Sequence, residues 1–114
     1  MYGWDELEQA CLSCRKCGLC EGRTKVVFGC GDRNADVLFI GEGPGRDEDA
    51  SGIPFVGRAG KLLDDLLLAA GFEREKVYIA NIVKCRPPQN RDPFPEEREA
   101  CLAWLRNQVS LIRP

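Results

Sequence analysis

Hydrophobic residues recur at helical spacing in three stretches of the chain. The spacing predicts a short amphipathic helix over about residues 4–12. A second helix is expected from near Ala59 to the residue before Gly71, since glycine suits the position just after a helix. A third begins at Pro95 and runs to about Leu111. Its inner face is expected to carry Leu102, Leu105, Val109 and Ile112.

Two continuous apolar runs bounded by turn residues predict buried strands. They are Val37–Ile40 and Val77–Ala80, and the second helix lies between them. A strand, a helix and a second strand over this length form a right-handed βαβ unit with parallel strands. Residues 25–28 could add a further short strand. The pattern therefore predicts an α/β fold.

The segment that follows the first strand is unusually long for a strand-to-helix connection. Residues 41–60 read GEGPGRDEDASGIPFVGRAG, and long loops inside compact domains tend to be functional. The segment holds six glycines, two prolines and four carboxylates, together with the apolar tetrad Ile-Pro-Phe-Val at 53–56. A merely solvated loop would not need that tetrad. We therefore expect the segment to form one wall of a pocket.

Polar residues follow both predicted strands. Glu42 follows the first strand and Asn81 closes the second, so both side chains are expected at the edge of the sheet where ligands of parallel sheets bind. Phe55 could supply a ring on which a planar ligand stacks. Phosphate-binding loops are excluded, because a Walker loop needs glycine at position 55 and a dinucleotide fingerprint needs a small residue where Arg46 stands. The composition suits a neutral planar ligand and a positioned water.

Composition narrows the class of protein. The 114 residues are expected to form one domain, and the net charge of −2 neither proposes nor excludes a nucleic-acid partner. Neither a signal peptide nor a membrane span is recognisable, so we expect a cytoplasmic protein. Histidine is absent, which removes the usual general base.

Seven cysteines in such a chain favour metal binding over disulfides. One assignment uses the local run at 11, 14, 17 and 20, whose spacing departs from that of ferredoxins. The other combines one Cys-x2-Cys pair with Cys85 and Cys101. Spacing alone does not separate a zinc site from an iron–sulfur cluster. Each remaining cysteine is most simply a small buried residue.

Three long motifs resemble those of the uracil-DNA glycosylases, specifically the family-4 iron–sulfur type. They are GEGPGRDED at 41–49, GIPFVGRAGKLL at 52–63 and VYIANIVKCRPPQNRDP at 77–93. The resemblance implies a three-layer αβα fold with a parallel sheet, here reduced to about two core strands and flanking helices. It also implies one domain over 1–114, with a cluster-binding part at 1–32 and the βαβ unit and last helix at 33–114.

The resemblance assigns a role to each candidate residue. A [4Fe-4S] cluster would be held by Cys14, Cys17, Cys85 and Cys101, with zinc as the alternative. Phe55 would stack on uracil flipped out of single- or double-stranded DNA, and Asn81 would bind its edge. Glu42, Gly43 and Glu48 would place or accompany the hydrolytic water, with Gly43 counted among the substrate-binding residues, and the choice between the two carboxylates as main catalyst stays open. Apart from the resemblance, Lys84, Arg86 and Arg91 lie next to the predicted cluster, where they could contact DNA phosphates or simply form solvated surface.

Members of that family are longer, with two further strands and a histidine motif. We therefore expect an incomplete glycosylase domain that is weakly active or inactive by itself. The edge of the strand at 37–40 would be open, which predicts a homodimer or dependence on the cluster for folding. An alternative is a non-catalytic iron–sulfur or zinc module that binds nucleic acid or a replication or repair partner.

Overall fold

The computed structural model describes residues 3–114 as an α/β fold. Within that range, five α-helices and three β-strands follow one another along the chain. They are α1 (Trp4–Leu12), α2 (Leu19–Gly22), β1 (Cys30–Gly31), β2 (Leu38–Gly41), α3 (Arg46–Ser51), α4 (Arg58–Ala69), β3 (Tyr78–Asn81) and α5 (Pro95–Ile112). Single 3-10 turns lie at 74–76 and 88–90. The three predicted helices are confirmed as α1, α4 and α5.

The strands form one sheet in the order β1-β3-β2. The βαβ prediction is confirmed, because β2 and β3 are parallel and Gly41 lies opposite Asn81 at their carboxyl ends. The short strand β1 is antiparallel to β3, with Cys30 opposite Ile79. β3 is therefore central and buried along its whole length, while β2 lies at an edge, where Ile40 is half exposed.

Side-chain alternation along β3 divides the core into two layers. Ile79 faces Leu67 of α4 on one side of the sheet. Tyr78 and Ala80 face Leu105 of α5 on the other. The sheet thus lies between helices on both faces, which confirms the three-layer arrangement. A third apolar cluster around α1 includes several of the cysteines.

Three details differ from the pattern-based predictions. Residues 25–28 form no strand, since Val27 makes an isolated backbone hydrogen bond to the Lys84 carbonyl at 2.7 Å and no ladder follows. The long segment 41–60 is not irregular throughout, because α3 forms inside it. The buried face of α5 also differs from the predicted one, because Val109 is partly exposed. The buried residues of α5 are Glu97, Cys101, Trp104, Leu105, Gln108 and Ile112.

No helix within residues 3–114 has both the length and the apolar character needed to cross a membrane.

Candidate functional site

A cavity of about 300 Å³ opens at the carboxyl ends of β2 and β3. This is the edge of a parallel sheet at which ligands are expected. The cavity brings together all five residues predicted for the base pocket, which are Glu42, Gly43, Glu48, Phe55 and Asn81. The rest of its wall is formed by Pro44, Gly45, Ala59, Pro87, Asn90, Arg91, Asp92 and Pro93. The second group comes mainly from the proline-rich segment before α5.

Asn81 closes β3 and lines the cavity with a buried side chain, only 2 % exposed. Its Oδ1 atom is buried and has no hydrogen-bond partner among the described residues. A buried acceptor without a partner costs about 1–3 kcal/mol, so such groups are usually satisfied by something. An N–H group on a ligand in the cavity would satisfy this one.

Two glycines leave the room that Phe55 needs to lie close to the sheet. Its backbone has a positive φ of 55°. A Cβ atom at Gly60 of α4 would lie 1.9 Å from the Phe55 carbonyl oxygen. At Gly41 a Cβ would lie 2.5 Å from the Phe55 ring and 2.4 Å from Asn81 Oδ1. The bare backbone of β2 therefore lets the ring and the amide come close together.

Replacing Gly41 with alanine is expected to displace the Phe55 ring or the Asn81 amide, because the methyl group has no room between them. Overpacking of this kind costs about 1–3 kcal/mol, and if that cost falls on the bound state the ligand affinity drops by about fivefold to a hundredfold. The measurement is the affinity for an oligonucleotide that carries uracil, the ligand that the sequence resemblance implies. Gly22→Ala is the matched control, since a Cβ there meets nothing within 4 Å. Equal affinities of the two variants would contradict the crowding argument.

Glu48 organises the loop rather than presenting a free carboxylate. Its Oε1 accepts from the backbone N–H of Gly45 at 2.9 Å. Its Oε2 accepts from Val56 at 3.0 Å and from Gly57 at 2.9 Å. Partial burial raises the pKa of Glu48, but these hydrogen bonds outweigh it and leave the pKa lowered. Glu48 therefore joins the start of α3 to the start of α4.

Because the pKa of Glu48 is lowered on folding, its carboxylate stabilises the fold above the ordinary value of 4.5. That stabilisation is lost as the pH falls through the lower folded pKa. Glu48→Gln is therefore expected to destabilise the chain at pH 7 by about 1 kcal/mol, allowing for solvent screening. The difference should shrink at acid pH. Thermal unfolding between pH 3 and 7 measures it, with Asp47→Asn as control, and a difference that does not vary with pH would contradict this role.

Glu42 has a different environment. Its side chain is 48 % exposed, and its Oε1 pairs with Arg98 of α5. No hydrogen bond to Oε2 occurs among the described residues. Of the two candidate carboxylates, Glu42 is thus the one with an oxygen that accepts no hydrogen bond from the described residues. Arg98 was not foreseen from the sequence, because nothing in its helical position indicates a partner 56 residues away.

Two arginines lie near the cavity mouth. Arg91 lines it and makes two hydrogen bonds to Glu97, at 2.8 and 2.9 Å. Its guanidinium also lies 3.8 Å from the centre of the Phe94 ring. Arg86 donates to Asn90 at 2.8 Å and lines an adjoining open groove. Both arginines therefore lie at the rim of the cavity or of the groove that adjoins it.

Lys84 does not lie on the surface. Its side chain is 1 % exposed, and its Nζ donates to the Asn81 carbonyl at 2.8 Å and to Gln108 Oε1 at 2.7 Å. Burial lowers the pKa of Lys84 to about 8. A DNA phosphate cannot reach this ammonium group in the structure. The expected phosphate contact of Lys84 is therefore not retained, because the chain folds over the residue.

Most of the cysteines line a second pocket, separate from the cavity described above. This second pocket is lined by Cys11, Cys14, Cys17, Cys20, Cys85 and Cys101. It contains all four predicted ligands, and Cys30 lies apart on β1. The pocket joins the turn after α1 to the end of β3 and to α5. The same four residues could therefore cross-link three distant parts of the chain.

Hydrogen-bond donors point at three of the four predicted ligand sulfurs. The Lys84 backbone N–H lies 3.2 Å from Cys101 Sγ. Trp104 Nε1 lies 3.4 Å from Cys14 Sγ, and Arg23 Nη1 lies 3.5 Å from Cys85 Sγ. N–H groups and nearby cations stabilise thiolates. This donor set fits a metal centre held by thiolates.

Burial raises the pKa of four thiols in this pocket. The pKa of Cys11 rises to about 12 and that of Cys101 to about 11. Burial also raises the pKa of Cys17 and of Cys85. Binding of a metal must therefore displace protons. Among residues 3–114, no three potential ligands stand together around one point as a single-ion site requires.

Comparison with known proteins adds a family to this geometry. A family model described as the uracil DNA glycosylase superfamily matches residues 28–114. The whole chain is 52 % identical to a type-4 uracil-DNA glycosylase of Archaeoglobus fulgidus and covers 57 % of that protein. It is 49 % identical to the type-4 uracil-DNA glycosylase of Thermotoga maritima and covers 62 % of it.

A type-5 uracil-DNA glycosylase of Thermus thermophilus is 35 % identical over 77 % of this chain and 46 % of its own length. The chain thus spans about half to three fifths of the length of these curated relatives. The family match includes β2, β3 and every residue that lines the base-sized cavity. By sequence and by fold, the chain belongs to the uracil DNA glycosylase superfamily.

Proposed function

We propose that the chain acts in DNA repair by excising uracil. The base turns out of the DNA strand into the cavity at the ends of β2 and β3, and its N-glycosidic bond is hydrolysed to leave an abasic site. The observation that supports this most strongly is the unpaired, buried Asn81 Oδ1 in the cavity that Phe55 also lines. The family and the type-4 relatives support the same reaction.

Recognition of the base follows from the chemistry of an asparagine amide. The N3–H group of uracil can donate to Asn81 Oδ1, while the amide NH2 donates to O4. Cytosine reverses this pattern, since its N3 accepts and its exocyclic N4 donates. Held in one orientation, the amide would be left unpaired by cytosine, which costs affinity. Stacking on Phe55 adds a base-independent contribution.

The remaining pocket residues act on the sugar and the water. Breaking the bond leaves positive charge on the sugar, as in other glycoside hydrolyses. Glu42 has one carboxylate oxygen fixed by Arg98 and the other available to orient a water and to stabilise that charge. Glu48 contributes by holding the loop, and Gly43 leaves space beside Val83, where a Cβ would lie 2.7 Å from its methyl carbon.

Uracil release is tested with a single-stranded oligonucleotide carrying one deoxyuridine, with enzyme in excess so that weak activity is detected. Alkali then cleaves the strand at each abasic site. We expect cleavage at deoxyuridine and none at deoxycytidine, and a much lower rate for Glu42→Ala. Selective binding without any release would instead favour the non-catalytic nucleic-acid-binding alternative. Absence of both binding and release would contradict the proposal.

We propose a [4Fe-4S] cluster in the cysteine pocket, held by Cys14, Cys17, Cys85 and Cys101. The cluster would supply a covalent cross-link between the N-terminal part of the chain and the segments that carry the base pocket. Zinc held by the same four thiolates is the alternative, because the donor set alone fits both centres. Visible absorbance of a brown protein would distinguish the two, since zinc is colourless.

DNA phosphates are proposed to contact Arg86 and Arg91 at the cavity mouth. Phosphate contacts fix the position of a strand without reading its sequence. Each should therefore contribute to the salt dependence of DNA binding. The protein is proposed to work in the cytoplasm, because all seven cysteines are unpaired and a reducing compartment keeps them so.

The open edge of β2 is proposed to pair with a second copy of the chain. Within the described residues, β3 is the only strand hydrogen-bonded to β2. Ile40 of β2 has an exposed apolar side chain, as have Leu62 and Leu66 of α4. Unpaired edges of this kind favour self-association. We expect light scattering to give the mass of a dimer, and Ile40→Lys to lower it toward that of a monomer. A wild-type chain that stays monomeric at high concentration would contradict the proposal.

A further inference from the structure

A buried lysine lies between the base pocket and the cysteine pocket. Lys84 follows β3 by three residues, and its ammonium group donates to the Asn81 carbonyl at 2.8 Å and to Gln108 Oε1 at 2.7 Å. It also lies 6.0 Å from the centre of the Phe28 ring. No carboxylate of residues 3–114 forms an ion pair with it. Its hydrogen-bond partners are neutral oxygens.

Gln108 is held as tightly as the lysine. It is fully buried, and its Nε2 donates to the Phe28 carbonyl at 2.9 Å and to the Tyr78 hydroxyl at 3.3 Å. Its amide is therefore fixed by the 26–28 segment and by β3, while its oxygen accepts from Lys84. The result is one chain of buried hydrogen bonds from Phe28 through α5 to the end of β3.

Burying an ammonium group away from water is costly, and an apolar side chain of similar size is often at least as stable in such a place. Core packing alone therefore does not account for Lys84. What the ammonium group does, and an apolar group cannot, is bind a backbone carbonyl. That carbonyl belongs to Asn81, the residue whose side chain lines the base pocket.

The backbone beyond Asn81 is hydrogen-bonded to the end of β2, whose following residues line the base pocket. Ile82 donates to the Gly41 carbonyl at 2.9 Å, and Val83 donates to the Glu42 carbonyl at 3.0 Å. These two bonds keep the end of β3 next to the end of β2, where Glu42 begins the loop. A displacement of the Asn81 carbonyl would change the direction of its side chain and strain both bonds.

We propose that Lys84 and Gln108 are positioning residues that hold Asn81 in the orientation needed to read a base. This inference rests on the proposed function, because it takes base reading as the role of Asn81. Lys84 also donates its backbone N–H to Cys101 Sγ at 3.2 Å, so the same residue contacts both pockets. The cysteine pocket and Asn81 are thereby joined through one residue, whose backbone contacts Cys101 and whose side chain contacts the Asn81 carbonyl.

The test is Lys84→Met in the full chain, which keeps the length of the side chain and removes the donor. Hydrogen exchange of the Ile82 and Val83 amides should accelerate about tenfold, since a lost hydrogen bond to a charged group is worth about that much or more. Exchange of the Asp32 amide, which donates to Val77 beside β1, should not change. The preference for a uracil over a cytosine strand should fall by about tenfold.

Lys61→Met, on the exposed surface of α4, is the matched control and should behave as wild type in both measurements. Wild-type exchange and wild-type base preference in Lys84→Met would overturn the inference. Equal wild-type binding of uracil and cytosine strands would overturn the proposed function instead. If circular dichroism shows that Lys84→Met does not fold, Gln108→Leu replaces it, because it removes one partner of the ammonium group and should accelerate the same two amides. Unchanged exchange in folded Gln108→Leu would overturn the inference.

Discussion

Replacing Asn81 with alanine is expected to lower single-turnover release of uracil about 100-fold. The amide makes two hydrogen bonds to the base in the proposed complex, and two bonds of about 1.5 kcal/mol each amount to about 100-fold in rate. The free protein should tolerate the change, because it removes a buried oxygen that has no partner. We therefore expect a similar or slightly higher melting temperature together with the loss of activity.

Asn107→Ala is the control for Asn81→Ala. Its amide donates to the Ala103 carbonyl one turn earlier in α5, so the change should leave uracil release unaffected. If the wild-type chain is too slow for accurate rates, the ratio of affinities for uracil and cytosine strands replaces the rate. Asn81→Ala with full activity or full base preference would show that another residue reads the base.

Replacing Cys85 with serine is expected to remove the proposed metal centre and to destabilise the chain. A serine hydroxyl is a much weaker ligand than a thiolate for iron or zinc. In small metal-binding domains the binding energy contributes directly to folding. The turn between α1 and α2 has few apolar residues, so its cysteines are its main link to Cys85 and to α5.

Loss of the centre should appear as loss of visible absorbance. The melting temperature should also fall by about 10 to 20 °C, because about 1 kcal/mol of lost stability shifts it by about 4–8 °C in a small domain. Chelation of the wild-type metal should have the same effect. Cys30→Ser is the control, because Cys30 lies outside the cysteine pocket. Retained absorbance in Cys85→Ser, or equal losses in both variants, would contradict the ligand assignment.

Much of the fold and of the base pocket could be predicted from the sequence because the signals are local. The apolar runs at 37–40 and 77–80 are each long enough to identify a buried strand, and parallel strands place Glu42 and Asn81 at one edge. The spacing of Trp4, Leu7 and Cys11 gave α1 for the same reason.

Other features depend on contacts between distant residues and could not be predicted in this way. Lys84 stands between Val83 and Cys85 and near Arg86, so the sequence suggests a basic surface cluster. Only the packing of α5, with Gln108 in its buried face, shows that the ammonium group is inside. The two-residue strand β1 is likewise too short for any sequence pattern.

Glu48 lies between these cases. Its position three residues after Gly45 matches the end of a capping box, which could have indicated a helix start and a carboxylate engaged in capping. Its bonds to Val56 and Gly57 arise only when the loop folds back on itself. Only the tertiary structure therefore shows that Glu42 is the carboxylate with one oxygen that accepts no hydrogen bond from the described residues.

The most direct test of the central claim is the affinity of the wild-type chain for two fluorescent single strands that differ only in one uracil or cytosine. The pocket of Asn81 and Phe55 predicts that the uracil strand binds more tightly by about tenfold or more. The reason is that cytosine would leave the buried Asn81 amide unpaired. The preference should disappear in Asn81→Ala. Equal affinities of the wild-type chain for the two strands would contradict the account.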